Sequence, residues 1–455
     1  MRVLLVSANR EQYPSPVVPL GILTIAGALR DAHEVRVLDL CFEQDPIAAA
    51  RDAAAAFHPE VIGVGLRNLH TNSYDGTEGL VEEYRCVVAA LRSASAAPIV
   101  LGGSGYSLQP ERLLAELGAD HGVAGEGERS FRALVDALAR GERPPRITGA
   151  APPPPVVILR GSRAHSDLDL LPTPARDLVD PRYYAIDGVD NIQTKRGCAF
   201  QCAYCDYPDL EGRKVRVRDP DAIADEVLAR SRVPGVSHVF FVDSVFNVPK
   251  SHALAVCRAL EARGNPLPWV CYGSPASFDD ELVEAMARSR CVGVEVGSDT
   301  GTERMLARLR KPFTLAQILR TRELFVEHGI LDAHTFVLGA LDETPDEVRE
   351  TLDFIDRLAP DVAMFIAFME DRESMTLHRA RHRDEILRLL SEEAPKRPGW
   401  VVPELGIRFG QRVSEYVRRA KLRGPSWLHL AQARRKAYLA SRGRQAAPAP
   451  ALTGS

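Results

Sequence analysis

Short apolar runs alternate with longer mixed segments twice along these 455 residues, once on each side of a proline-rich stretch. That double alternation limits the chain to parallel-sheet architectures. The first series runs Val3-Leu4-Leu5-Val6, Val35–Leu38, Val61–Gly65, Ile99–Gly103 and Gly122–Ala124, with helical segments near residues 20–31, 46–57, 78–93, 110–117 and from 128 onward. Strands separated by helices pair in parallel, and a parallel sheet is covered on both faces. Residues 1–142 are therefore expected to form a doubly wound α/β domain, with ligands at the carboxyl ends of its strands. Those ends read Ser7-Ala8-Asn9, Gly65-Leu66-Arg67-Asn68, Gly102-Gly103-Ser104-Gly105 and Gly125-Glu126-Gly127-Glu128. Glycine there lets a ligand approach the backbone closely.

Residues 143–182 carry Pro144-Pro145, Pro152 to Pro155 and Leu171-Pro172-Thr173-Pro174. Consecutive prolines favour an extended segment and reject both helix and central strand. This stretch reads as a linker whose Leu168, Leu170 and Leu171 pack onto the second domain. From 183 to 370 the alternation resumes, with strands at 191–194, 238–242, 269–272, 292–296 and 333–338, the last counted as the sixth. Five or six βα units imply a partial or full βα barrel, with catalytic groups at the strand carboxyl ends. Residues 371–442 read as a small, mostly helical region. Pro398–Glu404 and Ser426–His429 are expected to form a lid over the barrel mouth, and 443–455 a disordered tail.

Charge and hydropathy narrow the function. A net charge of −4 offers no polycation to grip nucleic acid. No apolar run reaches the roughly eighteen residues of a membrane span, and the N-terminus enters a strand pattern directly rather than a leader. A cytoplasmic protein with a small-molecule substrate is expected, without nucleic acid or membrane partners. Eight cysteines in 455 residues are too sparse for a disulfide scaffold, and Cys41, Cys86, Cys257, Cys271 and Cys291 lie scattered in apolar surroundings.

The other three are clustered. Gly197-Cys198-Ala-Phe-Gln-Cys202-Ala-Tyr204-Cys205 has the spacing C-x3-C-x2-C. Three thiolates on one tight loop can hold three irons of a 4Fe–4S cluster, which normally takes four. A structural zinc would need a fourth Cys or His nearby, and the next histidine is His238. The spacing, with an aromatic before the last cysteine, resembles the radical S-adenosylmethionine (SAM) superfamily. The resemblance implies a 4Fe–4S cluster on Cys198, Cys202 and Cys205 whose open iron takes SAM. An electron from a flavodoxin- or ferredoxin-type reductant would then cleave SAM to a 5′-deoxyadenosyl radical that abstracts hydrogen from substrate. It also implies that Tyr204, Asp243, Ser244, Glu295, Ser298, Val337 and Leu338 contact SAM, with one or two of Arg308, Arg310 and Lys311 on its carboxylate. A carboxylate at an apolar strand end is costly to bury alone. Asp243 is accordingly expected to meet a ligand ammonium or an arginine, and Glu295 a ligand hydroxyl or amine, or a barrel arginine.

Gly102-Gly103 after a strand, Pro110-Glu111 opening a helix and Gly125-Glu126-Gly127-Glu128 beyond resemble the Rossmann-like cobalamin-binding domain that precedes the barrel in one radical SAM subfamily. The D-x-H-x-x-G loop of cobalamin mutases is absent. By this resemblance Arg67, Asn68, Gly102, Gly103, Ser104, Gly125 and Glu126 are cobalamin contacts, with Arg67, Asn68 and His70 on its lower face. The alternatives are that Arg67 pairs with a carboxylate of the rim, and that the domain is a scaffold without corrinoid. Two enzymatic outcomes stand: cobalamin-dependent C-methylation of a small natural product in antibiotic-type biosynthesis, or corrinoid-free radical dehydration of a 1,2-diol in an aminoglycoside precursor. In the second, Asp206, Tyr207, Asp209 and Glu211 are candidates to handle hydroxyl protons. A non-catalytic electron-transfer or corrinoid-binding module is the reading from another class. A basic cluster at His378, Arg379, Arg381, His382 and Arg383 reads as a solvated helix or an anion-facing patch.

Overall fold

The computed structural model describes residues 1–12, 15–69, 80–142, 157–160, 167–366, 368–370, 377–379, 383–402 and 414–441. His70, the prolines at 144, 145 and 152–155, Arg381, His382 and the tail from 443 lie outside them.

Six parallel strands build the first sheet: β1 (Arg2–Ser7), β2 (Glu34–Asp39), β3 (Val61–Gly65), β4 (Ile99–Gly102), β5 (His121–Ala124) and β6 (Val157–Arg160), in the order β2-β1-β3-β4-β5-β6. β1 leaves only Arg2 exposed, because helices cover both its faces. Strand order reverses between β1 and β3, and the crevice of such a sheet opens at the carboxyl ends there. β6 corrects the sequence reading. The linker contributes an edge strand, which needs one free side only and so tolerates prolines upstream.

The second sheet starts with β7 (Val189–Ile192). The two-residue strands β8 (Lys195–Arg196) and β9 (Arg216–Val217) form a separate antiparallel pair around the cysteine loop. β10 (His238–Phe241), β11 (Trp269–Gly273), β12 (Cys291–Asp299), β13 (Leu331–Val337) and β14 (Val362–Ile366) come next. β15 (Phe368–Glu370) pairs with β16 (Leu377–Arg379), and β17 (Trp400–Val401) closes the series. The order β17-β14-β13-β12-β11-β10-β7 is parallel throughout, and among the described residues β17 and β7 do not pair. The result is an open, partial βα barrel of seven strands. The segment counted as the sixth strand is the fifth, β13. Helix starts obey local chemistry: Thr344 Oγ1 accepts from Glu347 N at 3.3 Å in a capping box, with Pro345 in the first turn.

The helix Ser426–Ser441 is a second correction. Trp427, Leu428 and Ala431 pack with Val270, Val292, Leu331 and Val362 near the amino-terminal ends of the barrel strands, opposite the mouth. Trp400 is buried in another apolar cluster, beneath the Arg397 guanidinium. Trp427, expected in a lid, therefore floors the barrel, and Trp400 packs in the outer core under the helices, because apolar rings match these apolar layers. No helix of the described residues is long and apolar enough to cross a membrane.

A strap joins the two sheets. Ala175 N donates to Leu23 O at 2.9 Å, and Thr173 O lies where a Cβ on Gly27 would stand. Arg176 then reaches Asp190 on β7 and Glu226, each within 3.0 Å, while Arg230 and Tyr184 complete the shell of Asp190. Leu168 is buried, whereas Leu170 is exposed and packs on nothing.

Candidate functional site

The cysteine loop is held by its own neighbourhood. Cys198 N donates to Gly212 O at 3.1 Å, Ala203 N to Leu309 O at 3.0 Å, and Cys205 N to Cys202 O at 3.2 Å. Gly197 has φ 91° and a Cβ there would stand 2.4 Å from Lys214 O, so only glycine fits. Glu211 Oε2 accepts from Gly197 N at 3.1 Å and Oε1 from Gln193 Nε2 at 3.3 Å. Glu211 therefore braces the loop, because a buried backbone amide needs an acceptor. Asp206, half-buried, precedes the helix Tyr207–Glu211, and its carbonyl accepts from Asp209 N and Leu210 N.

All three loop cysteines are free thiols, Cys198 buried and the others half-buried. Burial pushes the Cys205 thiol up to about 11 and raises that of Cys202, against which the nearby Lys311 works. Among the described residues no three donor side chains converge on one point. A mononuclear centre gathers its donors about one ion, whereas each thiolate of an iron–sulfur cluster takes its own iron. Three thiols on one partly buried loop are the donor set such a cluster requires.

Beside Cys202 stands a buried ionic group. Tyr204 donates its hydroxyl to Asp299 Oδ2 at 2.6 Å, and Lys311 Nζ lies 3.0 Å from Tyr204 Oη and 3.7 Å from Cys202 Sγ. Lys311 also pairs with Asp299. Of the cationic candidates only Lys311 reaches the loop, since Arg308 is turned to Asp342 at 3.0 Å.

Alternation along the strands decides which wall residues face inward. Val270 and Tyr272, then Gly293, Glu295 and Gly297, share the concave face, while their neighbours are buried under the outer helices. Tyr272 pairs in register with Glu295 and packs its ring 4.9 Å from that of Phe240. Burial pushes the Glu295 carboxyl up to about 7; the indole of Trp427 opposes the shift, and no described cation pairs with it. Tyr272 and Tyr207 expose 39% and 42% of their surface. Burial nevertheless raises both phenol pKa values, with Arg67 of the first domain acting on each in the opposite sense. Both rings therefore stand where the barrel faces the first domain.

Three expected SAM contacts are corrected by the same alternation. Asp243 is fully buried and accepts from Thr194 N at 2.7 Å, Thr194 Oγ1 at 2.5 Å and Lys195 N at 3.1 Å. Its partners are backbone and hydroxyl donors of the first barrel crossover, neither an ammonium nor an arginine. Ser298 is buried against His334 Nδ1 at 2.7 Å. Leu338 lies in the outer core beside Phe336, while Val337 turns the other way, toward Met305 and Tyr204. Adjacent strand residues point to opposite faces, so the pair cannot share one ligand. Ser244 keeps a buried hydroxyl without a protein partner.

On the first domain's rim, Arg67 is exposed and no described carboxylate pairs with it. Asn68 accepts at its carbonyl from Tyr84 Oη at 2.6 Å, and Ser104 Oγ donates to Arg67 O at 2.8 Å, so both shape the rim. Gly103 has φ 97° and faces Leu66 O, whereas Gly125, with φ 81°, has open space above it; Gly102 is half-exposed. Glu126 contradicts its expected role. It pairs with Arg216 at 2.7 Å and Arg196 at 3.6 Å, while Glu128 pairs with Arg196 at 2.6 Å. These pairs clamp the two domains, because a buried carboxylate demands a cation. At the reversal point Asn9 is 4% exposed and its Oδ1 has no partner. An open glycine rim, an exposed cation and an orphaned amide suit a large ligand with amide and carbonyl groups.

Sequence reasoning missed Tyr272, Lys311 as a loop contact, and the arginines of the clamp. Period-two reading onward from Val270 would have found Tyr272. Lys311 had no local signal, since its partner Cys202 is 109 residues away.

Comparison with known proteins agrees with this division. The radical SAM superfamily model matches residues 192–355, and the B12-binding-domain model matches 6–135. An uncharacterised methyltransferase of Pyrococcus horikoshii is 26% identical over 383 residues, covering 80% of each chain. The tryptophan 2-C-methyltransferase of Streptomyces laurentii is 28% identical over 425 residues, covering 78% of this chain and 71% of that one. Among solved structures, the radical SAM methyltransferase TsrM of Kitasatospora setae, with cobalamin and a 4Fe–4S cluster bound, superposes with a TM-score of 0.72. It is 28% identical, over 81% of this chain and 72% of that one.

Proposed function

Because the chain belongs to the radical SAM enzymes that carry a B12-binding domain, we propose that it transfers a methyl group from SAM, by way of cobalamin, to a carbon of a small aromatic molecule. One observation carries the reading. Arg67 of the first domain is near enough to Tyr207 and Tyr272 of the barrel to act on both phenols, Tyr272 stands in register with Glu295, and Tyr207 follows the cysteine loop by two residues.

Cys198, Cys202 and Cys205 would hold the cluster. Ser244 and Glu295 would meet polar groups of SAM or substrate, and Asn9, Arg67, Gly102 and Gly125 the corrinoid. Bound there, these groups supply a methyl source, a methyl carrier and one-electron chemistry. The protein's part is positioning. Phe240, Tyr207 and Tyr272 offer flat apolar walls that suit an aromatic ring. Glu295, with a pKa near 7, accepts a hydrogen bond from a hydroxyl or amine, or donates one when protonated. The Glu126–Arg216 and Glu128–Arg196 pairs hold the two domains together. A flavodoxin- or ferredoxin-type protein is the electron donor this reading asks for, and tryptophan, the substrate named for one relative, is the first molecule to try.

The test is anaerobic reconstitution with iron and sulfide, addition of hydroxocobalamin, desalting and a visible spectrum. Methyl-labelled SAM and tryptophan are then added. Retained corrinoid and label on a substrate carbon are expected, and Cys202→Ala should lose both the cluster absorption and label transfer. A corrinoid-free protein that still turns over SAM would remove methyl transfer, and full turnover by Cys202→Ala would remove the cluster assignment.

A further inference from the structure

We propose that Lys311 is a positioning residue that sets the reduction potential of the cluster through the Cys202 sulfur, with Asp299 as the counter-charge that limits its effect. The inference rests on the cluster assignment to Cys198, Cys202 and Cys205.

Lys311 is nearly inaccessible, its side chain 7% exposed, yet it sits among groups that leave its ammonium two different tasks. Nζ reaches Cys202 Sγ at 3.7 Å and Tyr204 Oη at 3.0 Å, and its charge lies 5.1 Å from the centre of the Tyr204 ring. Asp299 binds both Lys311 and, at 2.6 Å, the Tyr204 hydroxyl. A simple buried ion pair would need only Lys311 and Asp299. Here the pair is threaded through Tyr204, inside the cysteine motif, and its cationic end is turned to a sulfur.

The backbone is shaped to bring this about. Asp299 ends β12 in the left-handed region with φ 66°, next to a register shift between Gly297 and Asp299, and Arg310 before the lysine has φ 56°. Non-glycine residues held there carry strain that the surroundings must offset. Leu309 O takes the amide of Ala203, so the end of the helix Glu303–Arg308 is docked onto the cysteine loop by backbone as well as side chain. Two separated segments thus converge on one cysteine.

Electrostatics gives the direction. Adding one electron makes the cluster one unit more negative, and a cation a few ångströms from a ligating sulfur favours that state in a low-dielectric site. Hydrogen bonds to cluster sulfurs raise the potential in the same sense. Asp299 acts oppositely, its carboxylate held by Lys311 and the Tyr204 hydroxyl.

The experiment compares potentials of the reconstituted protein in an anaerobic titration with dithionite as the one-electron donor, read by electron paramagnetic resonance of the reduced cluster. Lys311→Met keeps the length and removes the charge, and at a fixed solution potential its ratio of reduced to oxidised cluster should fall about tenfold. Lys311→Arg should stay near wild type. Asp299→Asn suits the left-handed backbone and leaves the ammonium uncancelled, so its ratio should rise. A Lys311→Met cluster with the wild-type potential would overturn the proposal. Should that variant load no cluster, Asp299→Asn decides: an unchanged or lowered ratio overturns it. Wild-type protein that takes up no cluster would instead remove the assignment beneath.

Discussion

The rim of the first domain and the inner wall of the barrel treat their carboxylates in opposite ways. On the rim, Glu126 and Glu128 are matched by Arg216 and Arg196 at distances of 2.7 and 2.6 Å. On the wall, Glu295 has no described cation and a pKa pushed up to about 7 by burial, and the Ser244 hydroxyl has no partner. Paired buried charges explain how two domains stay docked. Unpaired ones cost stability without any structural return, and a fold carries such a cost where a ligand is to supply the missing partner.

Breaking the paired side should have the largest effect. Glu126→Ala takes from Arg216, whose side chain is 3% exposed, its carboxylate partner and leaves the Glu211 carbonyl as an acceptor, and removing one partner of such a buried pair costs about 3–5 kcal/mol. Urea unfolding should show it, and a loss below about 1 kcal/mol would mean that the strap and the Glu128–Arg196 pair hold the domains without it.

The unpaired side makes a pH prediction. The Glu295 pKa rises from 4.5 to about 7 on folding, so between those values the unfolded chain has lost a proton that the folded protein keeps. Its contribution to stability is therefore fully present below about 4.5, falls as pH rises toward 7 and is flat above. Glu295→Gln should remove that part of the slope in urea midpoints collected across the window. A variant with the wild-type slope would show that Glu295 is paired in solution. Smallest in stability, and most specific, is Arg67→Ala. Truncating an exposed side chain should change unfolding by no more than about 0.5 kcal/mol, while hydroxocobalamin retained after desalting drops several-fold. Equal retention would take Arg67 out of the corrinoid site.

Much of the architecture was legible because parallel sheets announce themselves. Val3–Val6 and Val61–Gly65 are apolar on both faces, and Thr344-Pro345-Asp346-Glu347 marks a helix start in four letters. The cysteine loop was equally plain, its chemistry being contained in nine residues. Failures cluster where a side chain's fate depends on distant chain. Asp243 looked like a ligand carboxylate and is satisfied by Thr194 and Lys195; Glu126 looked like a cofactor contact and is bound to Arg216. β6 went unread because an edge strand of four residues carries little pattern of its own, and Trp427 was placed at the wrong end of the barrel because composition does not say which end a helix enters.

Periodicity and spacing, which are local, determined by themselves that this chain builds two parallel sheets and carries three thiols for a cluster. Whether a given carboxylate is spent or free was decided only by tertiary structure. Pairing energy falls steeply with distance, and the distances between Glu126 and Arg216, or Lys311 and Cys202, are set by how two sheets and a strap pack together.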